Sequence, residues 1–128
     1  MGSSAVVTEP LALERYRPHI EAALAYADAT HDYADVAQMI SAGHLQFWPG
    51  PDSVIVSELI DYPGKSVLNI FLAGGHLDEL NAMLPTVLAW GKSKGCTAAS
   101  FLGRRGWART FVTRQGWKQT HVLFSVDL

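Results

Sequence analysis

The sequence predicts a mixed α/β (α+β) fold, in which an antiparallel meander of strands leads into a central parallel βαβ crossover, in the order ααβββαβαβ. Three observations predict it. The first part of the chain has apolar residues at helical spacing, the middle changes to short strands separated by turns, and the last part alternates between the two patterns. With 128 residues, 48% of them apolar, the chain can bury one core but not two. We therefore expect a single domain over residues 1–128.

Two helices are expected at the start of the chain. The first lies within residues 11–29, and its main part begins at Arg17 or Pro18, because proline is tolerated in a first helical turn but not in mid-helix. Asp32 is the expected N-cap of a second, shorter helix that ends near Gly43.

Three consecutive strands on short turns follow, at residues 45–48, 53–62 and 66–73. Strands joined by such short connections run antiparallel. The third strand is almost continuously apolar, which predicts a central position with both faces covered.

The last part of the chain predicts a helix, a strand, a second helix and a final strand. They are expected at residues 77–93, 97–102, 104–115 and 118–128. The strand, helix and strand over residues 66–102 form a crossover long enough to join two parallel neighbours.

Composition and termini exclude several classes of protein. The formal charge of −2 gives no overall attraction to nucleic acid or anionic lipid. The single cysteine, Cys96, excludes an intramolecular disulfide and favours a reducing compartment. The N-terminus lacks the features of a signal peptide, and no apolar run approaches the roughly 20 residues that span a bilayer. We expect a cytoplasmic protein with no membrane partner.

Element order and two motifs resemble the GNAT superfamily of acyl-CoA N-acyltransferases. The segment ARTFVTRQGW, residues 108–117, is similar to the superfamily's late helix pattern Asn-x-x-Ala-x-x-Leu-Tyr-x-x-x-Gly-Phe. The runs LDEL, residues 77–80, and GRRGW, residues 103–107, resemble small GNAT-like proteins of tailed phages. The resemblance implies a sheet whose central parallel strands splay apart, with the acyl-coenzyme A in the gap.

Carried onto this sequence, the superfamily's catalytic pattern is incomplete. Its tyrosine aligns with Val112, which cannot donate a proton, and the glycines of its pyrophosphate loop fall on Asp78 and Leu80. Carboxylates in a first helical turn cap the helix and occupy the place of a phosphate, so Asp78 and Glu79 are interpreted as caps that would repel a pyrophosphate.

A few residues remain as candidates for a site. His76, near the expected gap, and Glu58, on the strand where some superfamily members place a general base, are the catalytic candidates. Gly74 and Gly75 could allow the close backbone approach of a coenzyme. The five histidines lack metal-ligand spacing, so no metal is expected.

The remaining charge signal is a group of arginines in the late helix, which could contact phosphate or a partner, or form a solvated helix face. They are Arg104, Arg105, Arg109 and Arg114.

The incomplete pattern leads to a functional prediction with two alternatives. The main prediction is a non-catalytic GNAT-like protein of phage or prophage origin that acts by contact with a protein partner, in the virion or on a host factor, without a cofactor. The first alternative is a divergent N-acyltransferase that uses acetyl-CoA. The second is a nucleic-acid-associated protein that binds DNA through the arginine helix.

Overall fold

The computed structural model describes residues 10–26, 30–102 and 116–128 of the chain. Three helices come first: α1, Pro10–Glu14; α2, Arg17–Leu24; and α3, Tyr33–Ser41. Pro18 lies in the first turn of α2, as its missing N–H requires. A reciprocal capping box starts α3, in which the Asp35 amide donates to Asp32 Oδ1 at 2.8 Å and the Asp32 amide to Asp35 Oδ2 at 3.0 Å. The expected helix starts are confirmed.

Four strands form one mixed sheet in the order β1-β2-β3-β4. They are β1, Gln46–Pro49; β2, Val54–Asp61; β3, Ser66–Gly74; and β4, Ala98–Phe101. The first three pair antiparallel, and β4 pairs parallel to β3 through the crossover helix α4, Leu77–Ser93. The structure confirms the meander, the crossover and the central position of β3.

Two apolar layers cover the sheet, one on each face. On one face, helices α1 to α3 and the sheet share an apolar layer that includes Ile20 of α2, Phe47 of β1 and Val56 of β2. Helix α4 packs on the other face through Leu80, Leu84 and Val87, against a layer that includes Trp48, Ile55, Leu68 and Ile70. Strand β3 contributes to both layers, because Leu72 belongs to the first and Leu68 and Ile70 to the second.

The predicted last strand is not formed. Residues 117–128 contain no strand, and the large apolar side chains of residues 118–128 are exposed, Phe124 at 87%. The alternation that predicted a strand is a real property of the segment, but a strand forms only where a neighbouring backbone completes its hydrogen bonds, and none of the described strands pairs with it. The predicted helix at residues 104–115, with its arginines, lies outside the described residues.

None of the helices in the described ranges has the length and apolar character needed to cross a bilayer.

Gly75 is the glycine on which the junction of β3 and α4 depends. Its φ of +118° is a conformation that L side chains rarely adopt, and a Cβ there would lie 2.4 Å from the Oγ of buried Ser53. We expect Gly75→Ala to lower the free energy of unfolding by about 2 kcal/mol or more, from backbone strain and overpacking together.

Urea denaturation measures this effect, and Gly64→Ala is the matched control. Gly64 lies in the turn between β2 and β3, and a Cβ there meets no atom within 4 Å. The control should change stability by less than about 0.5 kcal/mol. Equal effects of the two substitutions would contradict the packing described for Gly75.

Candidate active site

Strands β3 and β4 part before β3 ends. Their parallel pairing runs from Val67 opposite Ala98 to Ile70 opposite Phe101, whereas β3 continues to Gly74. Within the described part of the chain, residues 72–74 pair with β2 alone, and Leu102, just after β4, is 83% exposed. Ligands of open α/β sheets bind beyond the carboxyl ends of parallel strands where the chain leaves in different directions. The open end of β3 is therefore the candidate site.

A β-bulge lies at this open end. The register between β2 and β3 shifts so that Val56 is opposite Leu72 and Ser57 opposite Ile70, which leaves Phe71 without a partner on β2. Bulges are common beside active sites because they take one residue out of the ladder and redirect its side chain. The Phe71 ring meets the His31 ring edge to face, with centroids 5.0 Å apart. His31, which precedes α3, therefore forms one wall of the site.

Next to the bulge, three polar side chains cross the sheet in what we call the polar row: Glu58 on β2, Asn69 on β3 and Ser100 on β4. Ser100 Oγ donates to Asn69 Oδ1 at 3.1 Å, and Asn69 Nδ2 donates to Glu58 Oε2 at 2.9 Å. Glu58 and Asn69 are half-buried. Among the described residues no cation pairs with Glu58, so its carboxylate is held in place while its charge is left for a ligand.

The polar row lies on the face of the sheet that α1 to α3 cover in part. Leu68 and Ile70, which flank Asn69, pack beneath α4 on the other face, as does Phe101 beside Ser100. A polar ligand that reaches Glu58 must therefore come from the side of the first helices, opposite to α4.

A second group of side chains holds the start of α4, and we call it the loop cluster: His19, Asp52, Ser53, His76 and Glu79. One carboxylate bridges two histidines, with Asp52 Oδ1 3.0 Å from His19 Nε2 and Oδ2 2.8 Å from His76 Nε2. Glu79 accepts from the Ser53 hydroxyl at 2.7 Å and the Asp52 amide at 2.9 Å. These contacts join α2, the β1–β2 loop and the first turn of α4.

The charges of the loop cluster shift one another's pKa values. The hydrogen bond to Asp52, and then its charge, raises the pKa of His76 above 6.5. Hydrogen bonds from His19 and His76 lower the pKa of Asp52, and hydrogen bonds from Ser53 and the Asp52 amide lower that of Glu79. The protonated ring of His76 and the carboxylate of Asp52 thus each favour the charged form of the other.

The interpretation of Asp78 and Glu79 as caps is wrong. The α4 N-cap is His76, and no side chain caps the helix. Glu79 points instead to the β1–β2 loop, and Asp78 is exposed. The first helical bond is from the Leu80 amide to the His76 carbonyl, so the amides of residues 77–79 have no acceptor within the helix. Both carboxylates thus lie in the first turn of α4, but the side chain of the N-cap residue His76 makes no capping hydrogen bond.

Gly74 and Gly75 have a structural role that the sequence did not show. A Cβ at Gly74 would lie 2.6 Å from the His19 carbonyl oxygen, and one at Gly75 would meet Ser53. Both glycines therefore allow close packing of the protein on itself, and their contact with a coenzyme stays a prediction.

Asn81, one turn into α4, contains an orphaned acceptor. Its Oδ1 atom is buried and has no hydrogen-bond partner among the described residues. A buried amide oxygen without a partner is costly, and in native proteins such atoms commonly meet a ligand.

Sequence reasoning found Glu58 and His76 but missed the residues that hold them. Asn69 had a signal, since it is the one polar residue among the otherwise apolar residues 67–73. Asp52 had none, because an aspartate in a Pro-Gly-Pro-Asp run is a common turn residue. The partner of His76 could not be found from the sequence, because Asp52 lies 24 residues away along the chain. In the described ranges no three His, Cys, Asp or Glu side chains are placed to hold a metal ion.

The loop cluster predicts how His76 titrates. The contact between His76 and Asp52 makes its full contribution to folding stability below pH 6.5, and that contribution is lost as pH rises through the raised pKa of His76. At acid pH, the contributions of Asp52 and Glu79 to folding stability are complete above their ordinary pKa values of 3.8 and 4.5. They are lost as pH falls through the lowered pKa values of the folded protein.

NMR titration of the imidazole resonances measures this shift. We expect His76 to titrate above pH 6.5, and Asp52→Asn to return its pKa toward that value. Asp61→Asn, an exposed carboxylate at the far end of β2, should leave His76 unchanged. A wild-type His76 that titrates at or below 6.5 would contradict the described geometry.

No protein-family model matches the sequence, and no characterised protein matches it by sequence comparison. Solved structures do match. The chain is similar to the aminoglycoside N-acetyltransferase AAC(6')-Iy in complex with CoA, with a TM-score of 0.67 and 15% identity over 92% of this chain and 89% of that one. It is also similar to a Trypanosoma brucei acetyltransferase, with a TM-score of 0.69 and 14% identity over 96% of both chains.

A third similar structure is an aminoglycoside acetyltransferase from an uncultured soil sample, in complex with trehalose, with a TM-score of 0.69 and 10% identity over 94% of this chain and 90% of that one. The prediction of a non-catalytic phage protein is contradicted, because these neighbours are acetyltransferases and favour the enzyme alternative. The phage part of the resemblance gains no support from them. The chain has the fold of the GNAT acetyltransferases.

Proposed function

We propose that this protein is an N-acyltransferase that uses acetyl-coenzyme A. The observation that carries the proposal is the polar row beside the open end of β3, in a fold whose similar solved structures are acetyltransferases. A carboxylate that is held by Asn69 and has no cation partner among the described residues is suited to bind a protonated amine and to take its proton during acyl transfer.

The residues around the start of α4 fit the coenzyme. The amides of residues 77–79 offer donors at the positive end of a helix, which suits the pyrophosphate. The orphaned Asn81 Oδ1 offers an acceptor for an amide N–H of the pantetheine arm. Asp78 and Glu79 oppose an anion here, but Glu79 is bound to the loop, and His76 is cationic below its raised pKa.

Acetyl-coenzyme A supplies an activated acyl group as its thioester. The chain's own contribution lies on the other side of the sheet, where Glu58 attracts an ammonium group and then accepts a proton from it, so that the nitrogen lone pair becomes available. Asn69 fixes the carboxylate by donating to Oε2, and Ser100 fixes the amide orientation of Asn69 by donating to its Oδ1. Much of the catalysis would come from positioning, which suffices for an amine that is already deprotonated.

Two measurements test this function together. Acetyl-CoA at about a hundred times its Kd should stabilise the fold by about 2.7 kcal/mol, visible as a thermal shift. Thiol release should then be followed with a panel of primary amines, including aminoglycosides, the substrate class named for two of the structural neighbours. Absence of any shift at millimolar acetyl-CoA would contradict the proposal.

Glu58→Gln tests the role of the carboxylate. The amide keeps the size and can still meet Asn69, but it loses the charge and the basicity, so kcat/KM should fall by a factor of about 100 or more. The acetyl-CoA thermal shift should not change, because Glu58 lies on the amine side of the sheet.

Asp61→Asn is the matched control, since Asp61 is an exposed carboxylate on the same strand, bonded to Ser66 at the far end from the bulge. It should keep full activity. An active Glu58→Gln variant, or an equal loss in both variants, would remove Glu58 from the mechanism.

A further inference from the structure

The sheet face that carries Glu58 is apolar on both sides of the polar row. By strand alternation Val56 and Ile60 lie on either side of Glu58 along β2. Val67 and Phe71 lie in the same way on either side of the asparagine of the row along β3. Val56 and Val67 are buried. Ile60 and Phe71 are half-buried, so they can meet a ligand. The Glu58 carboxylate therefore lies among apolar side chains.

Phe71 is the aromatic member of this surface and the diagonal neighbour of Glu58. The bulge leaves it without a partner on β2, and it packs against the apolar layer beneath the first helices. Diagonal neighbours lie about 7 Å apart, within reach of an aromatic side chain. A cation that lies near both a carboxylate and an aromatic ring is attracted by both. An ammonium group bound at Glu58 is thus within reach of the Phe71 ring.

The described strands offer a single carboxylate to a ligand on this face. Asp61, the other acidic residue of the strands, falls on the opposite face of β2 and accepts from Ser66. In α3, Asp32 and Asp35 accept each other's amide in the capping box. One ammonium group therefore finds a matching charge here. Each further charge of a polycation would lose water without gaining a partner on this surface.

We infer that the amine acceptor is a singly charged primary amine on an aromatic or alkyl body, and that Phe71 determines this preference. The inference rests on the proposed N-acyltransferase function and narrows its substrates to one class. The ammonium group binds at Glu58, and the body of the amine lies against Phe71 and Ile60. Burial on this surface favours apolar groups, whereas a hydroxyl-rich molecule would lose its hydrogen bonds to water without replacing them.

The ratio of kcat/KM for two amines tests this preference on the full chain with acetyl-CoA. 2-Phenylethylamine and ethanolamine share an ammonium group on a two-carbon chain, which ends in a ring in one and in a hydroxyl in the other. The wild type should favour 2-phenylethylamine by at least about thirtyfold, and should also favour it over kanamycin, a polycation. Phe71→Leu should lower the ratio at least about fivefold, because it removes the ring but keeps an apolar side chain.

Tyr62→Leu is the matched control, because Tyr62 is an exposed aromatic side chain in the β2–β3 turn. It should keep the wild-type ratio, and a general loss of folded enzyme cancels in the ratio for either variant. A wild type that acetylates ethanolamine or kanamycin as efficiently as 2-phenylethylamine would overturn the inference but leave the N-acyltransferase function intact. An unchanged ratio in Phe71→Leu would also overturn it.

Amine binding in the absence of acetyl-CoA separates this inference from the proposed function. In NMR spectra, 2-phenylethylamine should shift the side-chain amide resonances of Asn69, whereas 2-phenylethanol, which lacks the charge, should not. Glu58→Gln should weaken this binding at least about tenfold. If the shifts occur but no amine is acetylated, the proposed function is wrong and the amine site stands. No shift at millimolar 2-phenylethylamine would overturn the inference even if other amines are acetylated.

Discussion

The structure depends on the unequal pairing of β3. Strand β3 is paired with β2 from Ser66 to Gly74 except at the bulge at Phe71, but only Val67–Ile70 pairs with β4 within the described residues. Because β3 is covered on both faces by apolar layers, its position is fixed, and the parting of the two strands produces an opening rather than a shift of the sheet. The bulge at Phe71 lies in the part of β3 that does not pair with β4, and the turn at Gly75 follows directly after it. The features that could bind a ligand are therefore concentrated at one end of one strand.

Two polar groups lie on either side of that opening, and they differ in what they leave available. In the polar row, Asn69 donates to Glu58 and accepts from Ser100, and no cation among the described residues pairs with Glu58. In the loop cluster, Asp52 pairs with His76, Glu79 accepts from Ser53 and the Asp52 amide, and the amides of residues 77–79 have no acceptor within the helix. The first group favours a cation and the second an anion. This separation of charge matches a reaction between an amine and a phosphate-bearing coenzyme.

The sequence predicted the elements well, and it did so because the physical signals were local. Pro18, Asp32 and the glycine turns act on their own neighbours, so the helix starts and the meander followed from adjacent residues. The direction of the Glu79 side chain is not local, because it is set by Ser53 and the amide of Asp52, 26 and 27 residues away. The expected caps were wrong for that reason. The last strand was wrong because pairing requires an edge that the segment's own pattern cannot supply.

The functional prediction failed for a related reason. A valine at the superfamily's tyrosine position and acidic residues in its pyrophosphate loop were interpreted as loss of catalysis. Residue identities alone did not show that Glu79 is bound to a loop, or that Glu58 is oriented by Asn69 and Ser100 from two neighbouring strands. An enzyme that works mainly by positioning its reactants depends on where its carboxylate lies, and it can work without the superfamily's tyrosine.

Amide hydrogen exchange with and without coenzyme A tests the central claim most directly, because it reports the binding site residue by residue and requires no acceptor amine. The account predicts slower exchange at residues 71–79 and at Asn81, with no change in α3 or β1. Unchanged exchange over residues 71–81 at saturating coenzyme A, or protection confined to the first three helices, would contradict a coenzyme site at the open end of β3.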